Sequence, residues 1–138
     1  MTDKTETLAV LLDELLPGGE DFPAAQAIDL AGRLLGRPEW AKAAEIVLIL
    51  LPEGFAALAP ALRVGKLRDL EATERQAFDA LIVSAYSAYY THAAVRAVIE
   101  AKTGYAAGPP QPAGFTLPAF DPAVLDVVRR RPPSYRRP

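Results

Sequence analysis

The segment Ser84-Ala-Tyr-Ser-Ala-Tyr-Tyr-Thr-His-Ala-Ala-Val95 concentrates the side chains best suited to chemistry. It holds His92, the sole histidine, and three of the five tyrosines, Tyr86, Tyr89 and Tyr90. An imidazole titrates near neutrality, so His92 is the first candidate for a general base or a metal ligand. Either use needs company. Projected at about 100° per residue, His92 shares its helical stripe with Leu81, Ala85, Ala88, Val95 and Ile99, and no carboxylate stands beside it. A histidine on an apolar stripe more commonly packs in a core or interface and bonds to backbone. With no cysteine in the chain, one histidine builds a transition-metal site only with several carboxylates.

The acidic pairs Asp13/Glu14, Glu20/Asp21 and Glu71/Glu74 fall at expected helix ends or in loops, where capping and solvation account for them. Gly18-Gly19 follows a helical pattern rather than a strand, the wrong context for a phosphate loop. No serine sits in a nucleophile elbow. The expectation is therefore no catalytic residue, no metal and no cofactor held by this chain. Tyr86 and Tyr90, one turn apart, have two readings: packed within a bundle, or offered to a protein partner. The last ten residues carry five arginines, Arg129, Arg130, Arg131, Arg136 and Arg137, and no acid. The formal net charge of −2 thus leaves −7 on residues 1–128. An acidic body and helix-breaking prolines speak against nucleic acid and for an arm on an acidic protein surface.

The elements that must position these residues read as helices. Thr5–Leu16 carries leucines at spacings of three and four and stops at Pro17-Gly-Gly. The connection that follows is polar except for Phe22, which looks exposed. Ala24–Leu35 is a second helix. In Glu39–Leu51 the apolar run Ile46–Leu51 could by itself be a buried strand, but Ala41-Lys-Ala-Ala-Glu45 before it and the lack of a partner strand favour a third helix. Pro60 interrupts a fourth, Glu53–Val64, which should be bent or in two parts. From about Leu70 to Lys102 no Gly or Pro interrupts the pattern, which predicts one long central helix capped by Asp69 or Glu71. Glu71 and Glu74 near its start and Lys102 near its end suit the helix dipole. Gly104–Pro118 is rich in proline and glycine yet carries Tyr105 and Phe115, as though pinned to a surface. Asp121-Pro122 opens a last short helix, ended before Pro132.

The fold class is all-α: a compact bundle around one long central helix, spanning 1–103. Residues 104–138 form an extended arm, a short helix and a basic tail, packing on the bundle or on a partner. The 138 residues suffice for a core without staples, and 26 alanines favour close helix contacts. No run reaches the roughly 18 apolar residues of a membrane span, and the N-terminus shows no export signal. The expected compartment is the cytoplasm, or the periplasm if a signal was trimmed or a partner supplies one.

Two patches combine into a resemblance. Leu15-Leu-Pro-Gly-Gly-Glu-Asp-Phe-Pro-Ala-Ala25 is followed about sixty residues later by Glu74-Arg75-x-x-Phe78 and Tyr86-x-x-Tyr89-Tyr90-x-His92-x-x-Val95. Their order and spacing over about residues 8–108 resemble the gluconate 2-dehydrogenase subunit 3 family. Its members typically carry Pro-Gly, then Asp-Phe-Pro, then a late Tyr-Tyr-x-His-Pro-x-Val. Here Ala93 replaces the usual proline, and Gly104-Tyr105-Ala-Ala-Gly108 stands for the Gly-Tyr-Pro-Gly that often follows. The resemblance implies a small accessory subunit without cofactor, which clasps a catalytic flavoprotein of the glucose–methanol–choline type and helps it fold. FAD is then expected in that partner, and a cytochrome c subunit is a further candidate partner. The implied contact residues are Phe22, Pro23, Tyr89, Tyr90 and His92. Tyr86, Tyr105, Phe115, Arg130 and Arg131 join them from the reading of the aromatics and the basic tail. The rival expectations are a free-standing helical adaptor and a small-molecule binder built on His92 and the tyrosines.

Overall fold

The computed structural model describes residues 4–106, 114 and 118–132, and the chain divides into two compact units, Met1–Ala107 and Gly108–Pro138. Among the described residues every regular element is helical. The first unit contains α1 (Lys4–Leu15), α2 (Leu30–Leu35), α3 (Pro38–Leu50), α4 (Pro60–Thr73), α5 (Arg75–Tyr90) and α6 (Ala93–Thr103), with single 3-10 turns at Gln26–Ile28 and Phe55–Ala57. The second holds a 3-10 turn, Pro122–Leu125, running into α7 (Asp126–Arg129).

Helix α5 is the hub of the bundle, packing on α2, α3, α4 and α6, while α1 lies against α2, α3 and α4. The core draws on every one of these helices: Leu8, Leu11 and Leu12 of α1, Leu30 and Leu34 of α2, Val47 of α3, Leu67 and Leu70 of α4, Leu81 and Ala85 of α5, and Val95 of α6. Phe55, in the turn before α4, is buried with them. Pro38 and Pro60 each occupy the first turn of a helix, where a missing N–H costs nothing and the fixed φ is already helical. The split at Pro60 thus appears as expected, a 3-10 turn before it and α4 after it. Arg63 ties the same turn to α1, pairing with Glu14 and donating to the Leu58 carbonyl at 3.0 Å.

The single long helix from Leu70 to Lys102 is not formed; the run is cut twice. At the first cut Glu74 leaves the helical region (φ −126°, ψ 47°) while the Thr73 hydroxyl donates to the Asp69 carbonyl, 3.0 Å away. The reason is tertiary. A straight helix cannot pack against itself, whereas α4 and α5 do pack, bringing Leu67 and Leu70 into one core with Phe78 and Leu81. Asp69 and Glu71 therefore lie inside the last turns of α4 and cap nothing, and the dipole argument fails for Glu71. The second cut falls at Thr91-His92. The second predicted helix is also shorter than expected. Asp29 adopts a left-handed conformation (φ 47°), and its carboxylate accepts from the Gly32 N–H at 3.2 Å to start α2.

The second unit opens as its sequence predicts. The Asp121 carboxylate accepts from the Ala123 N–H at 3.0 Å, and Pro122 takes the first helical position. Most of the proline-rich segment, including Phe115, and the tail beyond Pro132 lie outside the described residues.

Candidate interaction surface

The loop between α1 and α2 folds back on itself. The N–H of Gly19 donates to the Phe22 carbonyl at 3.1 Å, the N–H of Phe22 returns to Gly19 at 2.9 Å, and Ala25 closes the loop onto the Leu16 carbonyl at 3.0 Å. Gly18 is required here. Its φ is +77°, and a Cβ would meet the Ala24 nitrogen at 2.6 Å and the Phe22 carbonyl oxygen at 2.9 Å. The tight path turns Phe22 inward. Far from being an exposed aromatic, it is half-buried against the core.

Two contacts fasten this loop from outside, and a third set ties α2 to the end of α5. The Tyr89 hydroxyl, 66 residues away in sequence, donates to the Pro23 carbonyl at 2.7 Å. The Lys102 ammonium on α6 pairs with Asp21 at 2.9 Å and Glu20 at 3.4 Å. Arg33 of α2 donates to the Ala88 carbonyl at 3.1 Å and the Thr91 hydroxyl at 3.1 Å, satisfying carbonyls at the C-terminal end of α5 that the helix leaves open. The guanidinium of Arg37 stacks 4.6 Å over the Trp40 ring on the same side of α2 and α3.

The tyrosines divide by role. Tyr89 is 3% exposed, whereas Tyr86 and Tyr90 are 45% and 50% exposed. Burial, and secondarily the neighbouring Tyr90, push the Tyr89 phenol above its ordinary value of 10.0. The hydrogen bond and charge of Asp21 likewise raise Lys102 above 10.5. Tyr90 meets Tyr89 edge-on at 5.3 Å and Tyr86 edge-on at 6.0 Å, so the buried ring holds up the exposed pair. With Leu15, Leu16, Pro17, Gly18, Gly19 and Phe22, Tyr89 and Tyr90 line a shallow cleft of about 240 Å³. A second groove of about 540 Å³ runs between α3 and α5, with Ile46, Ala80 and Val83 among its lining residues.

His92 does not sit on an apolar helical stripe. It lies between α5 and α6 in extended backbone (φ −74°, ψ 137°), and its Nδ1 accepts from the Ala94 N–H at 3.2 Å. It is thus the N-cap of α6.

The structure therefore brings together Phe22, Pro23, Tyr86, Tyr89 and Tyr90, with His92 at the junction just beyond. Tyr105 stands apart, exposed past the end of α6. Arg130 and Arg131 are exposed in the second unit, and Phe115 is outside the described residues. Sequence reasoning did not find Arg33. Lys102 stood out only for its place near a helix end, and Glu20 and Asp21 only as loop acids. Among the described residues no cluster of three or more His, Asp or Glu side chains could hold a metal ion, and no helix is long and apolar enough to cross a membrane. What the site offers is two exposed phenols over a rigid aromatic base, beside an apolar cleft. No protein-family model, curated protein or solved structure matches the chain.

Proposed function

We propose that this chain is the non-catalytic small subunit of an FAD-dependent sugar or alcohol dehydrogenase complex. In that role it supports the folding and stability of a catalytic flavoprotein of the glucose–methanol–choline type, with FAD in the partner and electrons passing to a cytochrome c subunit or a quinone. The observation that carries the reading is the 2.7 Å bond from Tyr89 to Pro23. It joins the Asp-Phe-Pro patch to the Tyr-Tyr-x-His patch, the two stretches on which the resemblance to gluconate 2-dehydrogenase subunit 3 rests. A loop-and-helix motif that packs as one unit is a physical reason for the two patches to occur together.

The backbone at His92 adds support. Ala93 is the first residue of α6, where the N–H has no helical partner, and His92 before it is extended. Those are the conditions that a His-Pro step requires. The backbone at Ala93 would therefore accept the family's proline without rearrangement. Exposed Tyr86 and Tyr90 suit a protein contact, where an apolar ring and a wet hydroxyl are both useful.

The test is affinity purification of the tagged chain from its native host, with an absorption spectrum of the eluate. A stoichiometric large chain carrying flavin is the expected result. A solitary, colourless protein would reject the reading in favour of an adaptor or a His92-centred binder.

A further inference from the structure

The helical segment of the second unit carries an exposed apolar face. Val124, Val127 and Val128 are 63%, 61% and 62% exposed, and Phe120 just before the helix is 68% exposed. Around the helix axis the three valines fall within roughly a 100° arc. Asp126 and Arg129, ion-paired at 3.6 Å, lie on the other side. The segment is therefore amphipathic, and its polar side is internally paired. Directly after it the sequence delivers Arg130 and Arg131, then Arg136 and Arg137. Exposed valines on one face of a capped helix, followed by a run of cations, have the form of a helix-in-groove ligand with a charged anchor.

We propose that this segment, Phe120 to Arg131, is a docking element for a protein groove with an apolar floor and a carboxylate rim. The valines seat in the floor and the arginines on the rim. The inference rests on the accessory-subunit reading and deepens it, placing that groove on the flavin-bearing subunit. The charge pattern favours a protein over the other anionic partners. Residues 1–128 carry −7, which a bilayer of anionic lipid or a nucleic acid would repel as a whole. A local acidic rim engages the arginines alone. Pro122 and Pro132 bound the segment, which runs as the 3-10 turn Pro122–Leu125 and the single α-helical turn of α7, long enough for one apolar anchor row.

The test uses the full chain purified from its host in three forms: unaltered, Val124→Asp with Val128→Asp, and Arg130→Glu with Arg131→Glu. Flavin per tagged chain is read from the eluate, alongside solution mass and co-sedimentation with phosphatidylglycerol vesicles. The expected result is flavin with the unaltered chain and a loss of about tenfold or more in both variants, as for substitution of interface anchors. Raised salt should reproduce the arginine effect. Flavin retained in both variants would overturn the docking element and leave the accessory reading intact. No flavin with the unaltered chain would reject that reading and this inference together. Binding to vesicles, or a dimer that the valine changes dissolve, would overturn it in favour of a lipid surface or a second copy of the chain.

Discussion

Tyr89 and Pro23 are joined across 66 residues by a 2.7 Å hydrogen bond, in which a buried phenol donates to a loop carbonyl. The bond ties the tightly folded loop between α1 and α2 to α5, the hub of the first unit. Tyr89→Phe keeps the ring and strands the carbonyl, a loss of about 1–3 kcal/mol. Tyr89→Ala removes the ring as well and should cost about 3–5 kcal/mol, the range for emptying a buried aromatic site. Urea unfolding of the two variants measures both. Equal stability of Tyr89→Phe and the parent would mean that water satisfies Pro23 and that the bond is incidental.

The junction at His92 gives a pair of opposite outcomes. His92→Ala removes the acceptor for the Ala94 N–H and should destabilise α6 by about 0.5–2 kcal/mol, whereas His92→Asn keeps a capping oxygen and most of the stability. Ala93→Pro should move the other way, adding about 0.4–1 kcal/mol, because native backbone at both residues already suits the substitution. Hydrogen exchange in α6 and the thermal midpoint follow both changes. A destabilising Ala93→Pro would show that the resemblance to a His-Pro step is superficial.

The alkaline limb of stability has a defined sign. Lys102 is raised above 10.5 by Asp21, and Tyr89 above 10.0 chiefly by burial. In both cases the folded chain holds its proton more tightly than the unfolded chain does. Their contributions are complete below pH 10 and are lost as pH climbs through the raised values. Stability should therefore fall above pH 10, and Lys102→Met and Tyr89→Phe should each flatten that fall. A limb of unchanged steepness in both variants would assign it to other groups.

The helical class, the proline stops and the split at Pro60 were legible because periodicity and proline sterics act locally. The cuts at Glu74 and at Thr91-His92 were not. Neither carries glycine or proline, and each exists because packing of one helix on the next outweighs the continuation of a good helical pattern. Placing His92 on an apolar stripe followed from assuming one unbroken helix, and its role as a cap became visible only once the helix ended. The same error hid the division among the tyrosines. A helix that is apolar most of the way round does not reveal which ring a loop will cover. Tyr89 is buried because the Gly18-Gly19 turn delivers Pro23 above it, a contact fixed by backbone geometry rather than by helical spacing.

That division gives the sharpest separation of folding from binding. Tyr86 and Tyr90 are half exposed, so Tyr86→Ala should change the stability of the isolated chain by no more than about 0.5 kcal/mol. Tyr90→Ala should cost somewhat more, since its ring packs edge-on against Tyr89 at 5.3 Å. If the pair is the contact surface for a flavoprotein, each change should weaken the complex by more than about 1 kcal/mol, well beyond its effect on folding for Tyr86. Thermal melts of the isolated variants, set beside flavin recovered per tagged chain, separate the two quantities. Loss of flavin from Tyr86→Ala with an unchanged melt would mark the tyrosines as binding residues. Unchanged recovery would confine them to the bundle's own surface and move the search for the interface to the groove between α3 and α5, where Ile46 and Val83 stand open.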